Sequence, residues 1–154
     1  MTTDPLGTTG PSATSTTYLL DVNVLLALTN PAHVHHRRVR TWFDDVSDWA
    51  TCPITEAAFA RLMLNPVIAG RRATFAEVSE LLAGLGRLPG HVFLSDAGRL
   101  VQPLVDTTPL VGHLQVTDFH LVNLAMGHGA VLATLDARLT HTLAPDDRRH
   151  CRLV

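Results

Sequence analysis

Apolar positions recur along this chain with two different periods. Residues 18–28, YLLDVNVLLAL, form an almost unbroken apolar run. It predicts a buried strand over TYLLDV passing into a short helix that ends at Leu28, before the Asn30–Pro31 turn signal. Over residues 33–48, Val39, Trp42, Phe43 and Val46 keep the three–four spacing of an amphipathic helix. WATCPI (49–54) reads as a second strand. TEAAFARLMLNP (55–66) reads as a helix capped by Thr55, with Phe59, Leu62 and Met63 facing the core and Pro66 beyond its end. Residues 74–88 predict a further helix and HVFLS (91–95) a strand, and GRLVQPLVD (98–106) predicts a weaker helix interrupted by Pro103. TDFHLVNLAMGHG (117–129) has Thr117 as cap, Leu121, Leu124 and Ala125 inward, and Gly127 or Gly129 as its stop. AVLATLD (130–136) is a continuous apolar run of the kind that crosses parallel sheets, and a short helix and CRLV follow. Strands alternating with helices predict an α/β fold with a mostly parallel sheet.

Within that pattern four acids occupy comparable places. Asp21 ends the first strand, Asp136 follows the AVLAT strand, and Glu56 and Asp118 stand at helix starts. In open α/β sheets, ligands bind in the crevice beyond the carboxyl ends of the strands. Each acid also has a plain explanation. Glu56 and Asp118 follow capping threonines and suit the helix dipole, Asp136 suits a turn or an N-cap, and Asp21 could cap the helix after it. Asp21 resists that account best, because an unpartnered carboxylate among apolar residues costs several kcal/mol. Taken together, four acids in one crevice would repel one another unless they held cations. All-oxygen ligands suit Mg²⁺ or Mn²⁺, and a carboxylate cluster of this kind serves two-metal phosphodiester chemistry.

Composition narrows the partners. The 154 residues are 46% apolar and 17% charged with a net charge of −2, so a nucleic-acid ligand would need a local basic patch. The length suits one domain able to bury its own core. All twelve basic residues are arginine. Cys52 and Cys151 form no CxxC pair and read as reduced, packed thiols. No apolar stretch is long enough to cross a bilayer. Residues 1–16, rich in Thr, Ser, Gly and Pro, lack the features of a signal peptide and read as a flexible tail before a domain at 17–154, which gives a cytoplasmic expectation.

YLLDVNVLLAL, then TEAAFARLMLNP, TDFHLVNLA and LATLDARL, in that order, resemble the four motifs of PIN-domain ribonucleases, and most closely those of the VapC toxins of bacterial toxin–antitoxin modules. The resemblance spans residues 17–154. It implies a Rossmann-like three-layer α/β/α fold. It also implies that Asp21, Glu56, Asp118 and Asp136 bind Mg²⁺ or Mn²⁺ and cut single-stranded RNA. Asn23 matches a polar position that orients the first acid, and Thr134 a hydroxyl lining the same site. A homodimer and a cognate VapB-like antitoxin are implied as well. Such toxins usually begin close to their first strand, so the N-terminal tail departs from the family pattern.

Other clusters stay open. HVHHRRVR (33–40) concentrates three histidines and three arginines without an acid. Arg37 and Arg38 there suit either RNA phosphate contact or a solvated helix face. Arg61 could reach phosphate or remain on the surface. His33 and His36 lack a second ligand pair at zinc spacing. A phosphorelay receiver, also α/β with Mg²⁺ at strand ends, needs adjacent acids and a lysine, and the chain has Asp21–Val22 and no lysine. The competing class is a non-catalytic α/β binding module whose acids are caps and surface charges.

Overall fold

The computed structural model describes residues 15–154, so all but the last two residues of the expected tail lie outside the described residues. Strand β1 (Thr17–Leu20) runs into helix α1 (Val22–Thr29) through Asp21 alone, and α2 (His36–Phe43) leads to β2 (Asp48–Thr51). Helices α3 (Pro53–Met63), α4 (Pro66–Ala69) and α5 (Phe75–Gly86) precede β3 (His91–Phe93). After a long connection come α6 (Val116–Gly127), β4 (Val131–Thr134), α7 (Ala137–Thr142) and β5 (Cys151–Leu153).

The sheet is parallel throughout, in the order β3-β2-β1-β4-β5. The chain starts at the centre, winds to one edge, then returns to lay β4 against the free side of β1. The reversal puts the topological switch point between β1 and β4, where such sheets open a crevice at their carboxyl ends.

Register sorts the core into two layers. Leu19 lies beside Ala50 and Leu132, and their shared face packs on Phe119, Leu121, Val122, Leu124 and Ala125 of α6. Leu20, Trp49 and Ala133 face the other way onto Val24, Leu25, Val39, Phe59 and Val78 of α1, α2, α3 and α5. A sheet covered on both faces needs strands apolar at every position, which is why these runs do not alternate. The three-layer α/β/α expectation holds.

Several boundaries differ from those expected. The expected turn at Asn30–Pro31 is present but continues through residues 33–35, with His33 N–H on the Asn30 carbonyl and His36 N–H on that of His33, so α2 begins at His36 rather than His33. Strand β2 stops at Thr51, because Pro53 at the first helical position pushes Cys52 into an extended conformation as the N-cap. Thr55 is therefore the third helical residue, and its hydroxyl accepts the Cys52 N–H at 3.1 Å. A 3₁₀ turn at His113–Gln115 precedes α6, so Thr117 is its second residue rather than its cap. Pro66 opens the one-turn α4 with Asn65 as cap.

Residues 98–106 form no helix. Pro103 lacks the N–H a helix needs, and the buried Asn123 of α6 accepts the Leu104 N–H at 2.6 Å while Val105 enters the core. Gly129 closes α6 with φ +65°. Gly90, at φ +78°, turns the chain into β3, and a Cβ there would lie 1.8 Å from the Ser47 carbonyl oxygen. Cys52 and Cys151 are both unpaired thiols.

Candidate active site

Asp21 is the hinge between β1 and α1 and is only 6% exposed. Its Oδ1 accepts the Val22 N–H at 2.7 Å and its Oδ2 accepts the Thr134 hydroxyl at 2.7 Å. Burial raises its pKa, and the charge of Asp136 adds to that, while the Thr134 and Val22 hydrogen bonds pull it back. The carboxylate is thus partnered, as the sequence required, by a residue more than a hundred positions away.

Thr134, fully buried at the end of β4, is a hub. Besides donating to Asp21, its Oγ1 accepts from the Asn23 amide and from the Asp136 N–H, each at 3.1 Å. Asn23 completes the clamp, accepting the Leu135 N–H on Oδ1 at 3.1 Å. Asn23 and Thr134 therefore lock the start of α1 to the end of β4 across the switch point. Asp136 caps α7, its Oδ1 accepting the Arg138 N–H at 2.8 Å.

Asp118 sits in the first turn of α6, which carries it to the same crevice. Its carboxyl is pushed up to about 6, first by burial and then by the charges of Asp21 and Asp136. Those two charges and that of Asp118, behind burial, push the Cys151 thiol up to about 12, leaving it protonated. Asp21, Asp118 and Asp136 accordingly form one electrostatic cluster, and among the described residues none of the three joins an ion pair.

Glu56 is held differently. Its Oε1 accepts the Thr51 hydroxyl at 2.6 Å, and Thr51 Oγ1 is 2.8 Å from His91 Nε2. Since the single Thr51 proton is committed to the carboxylate, His91 donates from Nε2. Burial lowers the His91 pKa, and the Glu56 charge opposes this. The imidazole lies 4.6 Å from the Trp49 ring, between centroids. Glu56 is thus engaged by Thr51 at the end of β2, itself backed by His91 at the start of β3, and the charges that raise Asp118 come from the aspartates alone.

The donor set consists of hard carboxylate oxygens, which fits Mg²⁺ or Mn²⁺. Among the described residues, no group of three or more acids, histidines or cysteines already converges as a metal cage. The raised Asp118 carboxyl is the observation that favours a cation: the cluster carries repulsion that a divalent ion would relieve.

A cleft of about 510 Å³ opens from this cluster, with Asp118 and Asp136 in its wall beside residues 111–115 and Arg138 of α7. Arg37 and Arg38 line a separate groove with Val34 and Trp42, and Arg61 is exposed in the last turn of α3. His33 and His36 serve the turn before α2. His33 Nδ1 accepts the His35 N–H, and His36 Nδ1 lies 2.7 Å from the Ala27 carbonyl oxygen. Thr51, His91 and Arg138 did not stand out in the sequence. Arg138 was visible two residues after Asp136, whereas Thr51 and His91 meet only through the β2–β3 register.

The PIN domain family model matches residues 18–143. Ribonuclease VapC38 of Mycobacterium tuberculosis is 45% identical over 77% of this chain and 84% of its own. Ribonuclease VapC39 of the same species is 42% identical over 80% and 91%, and Ribonuclease VapC29 is 37% identical over 81% and 90%. With its sheet order, its switch-point aspartates and these relatives, the chain belongs to the VapC family of PIN-domain proteins.

Proposed function

We propose that the protein is a metal-dependent endoribonuclease toxin in which Asp21, Glu56, Asp118 and Asp136 hold Mg²⁺ or Mn²⁺ and RNA is cut by in-line attack of water. The observation that carries this is the cluster of three aspartates at the switch point, with the Asp118 carboxyl raised to about 6. The ribonuclease names of the relatives support the reaction class. A bound pair of ions would supply an activated water and a stabilised leaving oxygen.

The protein's own groups set the geometry. Thr134 and the Val22 N–H fix the Asp21 carboxylate, and Asn23 anchors the Leu135 peptide that carries the chain to Asp136. Thr51, at the end of β2 and backed by His91, holds Glu56. Products would carry a 5′-phosphate and a 3′-hydroxyl. Further parts of the proposal are a VapB-like antitoxin placing a basic side chain among the carboxylates, a homodimer, a single domain at 17–154 and a cytoplasmic location. No helix among the described residues is long and apolar enough to cross a membrane.

RNA end-mapping after induction in a bacterial host, wild type beside Asp118→Asn, tests the reading. New 5′-phosphate ends at defined sites, absent with the variant, are expected. Identical profiles from two folded, expressed proteins would favour a non-catalytic binding module.

A further inference from the structure

The cleft beside the aspartates contains features that the acids do not explain. Val111 is 89% exposed and Leu114 81% exposed, although both stand on a loop that is tied down. Gln115 Oε1 accepts the N–H groups of both Val111 and Gly112 at 3.1 Å, and the Leu110 N–H bonds the Thr107 carbonyl. The two apolar side chains are therefore held in water by a braced backbone, where they gain nothing unless another surface covers them. With the Gln115 oxygen committed twice, its NH₂ group is left as a donor.

α7 brings a positive charge to the same cleft. Arg138 is exposed and joins no ion pair among the described residues. Its backbone N–H is fixed on Asp136 Oδ1, so the root of the side chain is fixed relative to that acid. A guanidinium two residues from a carboxylate cluster, yet unpaired, is suited to an anion arriving from solution.

We infer that this cleft is a nucleotide subsite for the residue next to the scissile phosphate, with the base covering Val111 and Leu114 and the adjoining phosphate on Arg138; this rests on the nuclease reading above. Three observations fit such an occupant. The volume of about 510 Å³ lies in the range of small-ligand sites. Asp118 and Asp136 in its wall make whatever fills it a direct neighbour of the reacting phosphate. The pairing of an apolar face with a single cation matches a base and its phosphate. It also implies an unstacked, single-stranded nucleotide, since a base inside a duplex has no free face. The free Gln115 NH₂ favours bases presenting an acceptor edge.

The test uses the full chain as wild type, Arg138→Gln and Leu114→Ser, both exposed positions. The reaction is cleavage of an RNA oligonucleotide spanning a mapped wild-type site. RNA binding is measured in parallel for each chain in the Asp118→Asn background, across a salt series. Arg138→Gln is expected to raise KM about tenfold with kcat changed less, and to lower the salt slope of binding by about one. Leu114→Ser is expected to relax the nucleotide preference at one position beside the cut. Wild type that cleaves while both variants match it in KM, salt slope and cut sites would overturn the subsite alone and leave the cleft to a protein ligand. Wild type that cleaves nothing would remove the nuclease reading, and the subsite with it.

Discussion

Replacing Asp118 by Asn should stabilise the metal-free protein while abolishing its activity. The carboxyl rises from an ordinary 3.8 to about 6, through burial and the charges of Asp21 and Asp136. At about 1.36 kcal/mol per pH unit, that rise is a cost of about 3 kcal/mol to the folded state once the group is ionised. Asp118 is only half-buried, so solvent screening leaves about 1–2 kcal/mol. The sign follows from the order of titration. As pH climbs, the unfolded chain loses this proton near 3.8 and the folded one only near 6, so folded stability falls across that interval and is then level. Asparagine carries no such charge.

In EDTA at pH 7.5 the variant should therefore melt about 2–8 °C above wild type, and the gap should close toward pH 4. Thermal or urea melts at both pH values measure this directly. Saturating Mn²⁺ should reverse the order, because a ligand at a hundred times its Kd adds about 2.7 kcal/mol to the protein that binds it. A variant less stable than wild type at pH 7.5 in EDTA, or a gap that ignores pH, would refute the charge-cluster account.

Thr134→Val keeps the side chain's shape but strands the Asn23 amide and the Asp136 N–H and removes the Asp21 donor. A loss of about 2–3 kcal/mol in urea titrations is expected, with Thr134→Ser largely restoring it. Thr51→Val should free Glu56 and weaken Mn²⁺ binding by calorimetry, whereas Thr51→Ser should retain it; equal affinities for both would show that the Thr51 bond does not position Glu56. Gly90→Ala must both leave φ +78° and clear the Ser47 carbonyl. A melting point lowered by about 4 °C or more is expected, and an unchanged one would exclude the clash.

What the sequence disclosed depended on range. The central strands β1, β2 and β4 were legible because burial on both faces of the sheet leaves apolar runs such as VLAT that few other arrangements produce, and the long helices showed through their three–four spacing. Boundaries failed where a local rule met a stronger one. Thr55 and Thr117 have the right chemistry for caps, but Pro53 and the 3₁₀ turn at 113–115 start their helices earlier. The helix expected over 98–106 was overruled by one buried side chain, Asn123, that belongs to a different element. In the site, the family motifs supplied the four acids, Asn23 and Thr134, and the structure joins Asp21, Asn23, Thr134 and Asp136 in one network with Asp118 beside it. It holds Glu56 on Thr51, five residues before it, and backs Thr51 with His91, a contact no motif carries because it exists only once β3 lies beside β2. Arg37 and Arg38 face a different groove from the acids, and the arginine that shares the acids' cleft is Arg138, two residues after Asp136.

The central position of β1 also has a consequence for how the protein is made. The chain is synthesised from Asp21 toward Asp136, so β1 can pair with β2 early, but its other neighbour β4 emerges more than a hundred residues later. Until then Asp21 has neither the Thr134 hydroxyl nor the charge of Asp136 beside it. A ribosome-bound fragment that ends before β4 thus carries β1, β2 and β3 with an Asp21 still lacking its threonine partner, and the late closure of β4 onto β1 acts as a timer that assembles the acidic site only after the whole intervening chain has been made.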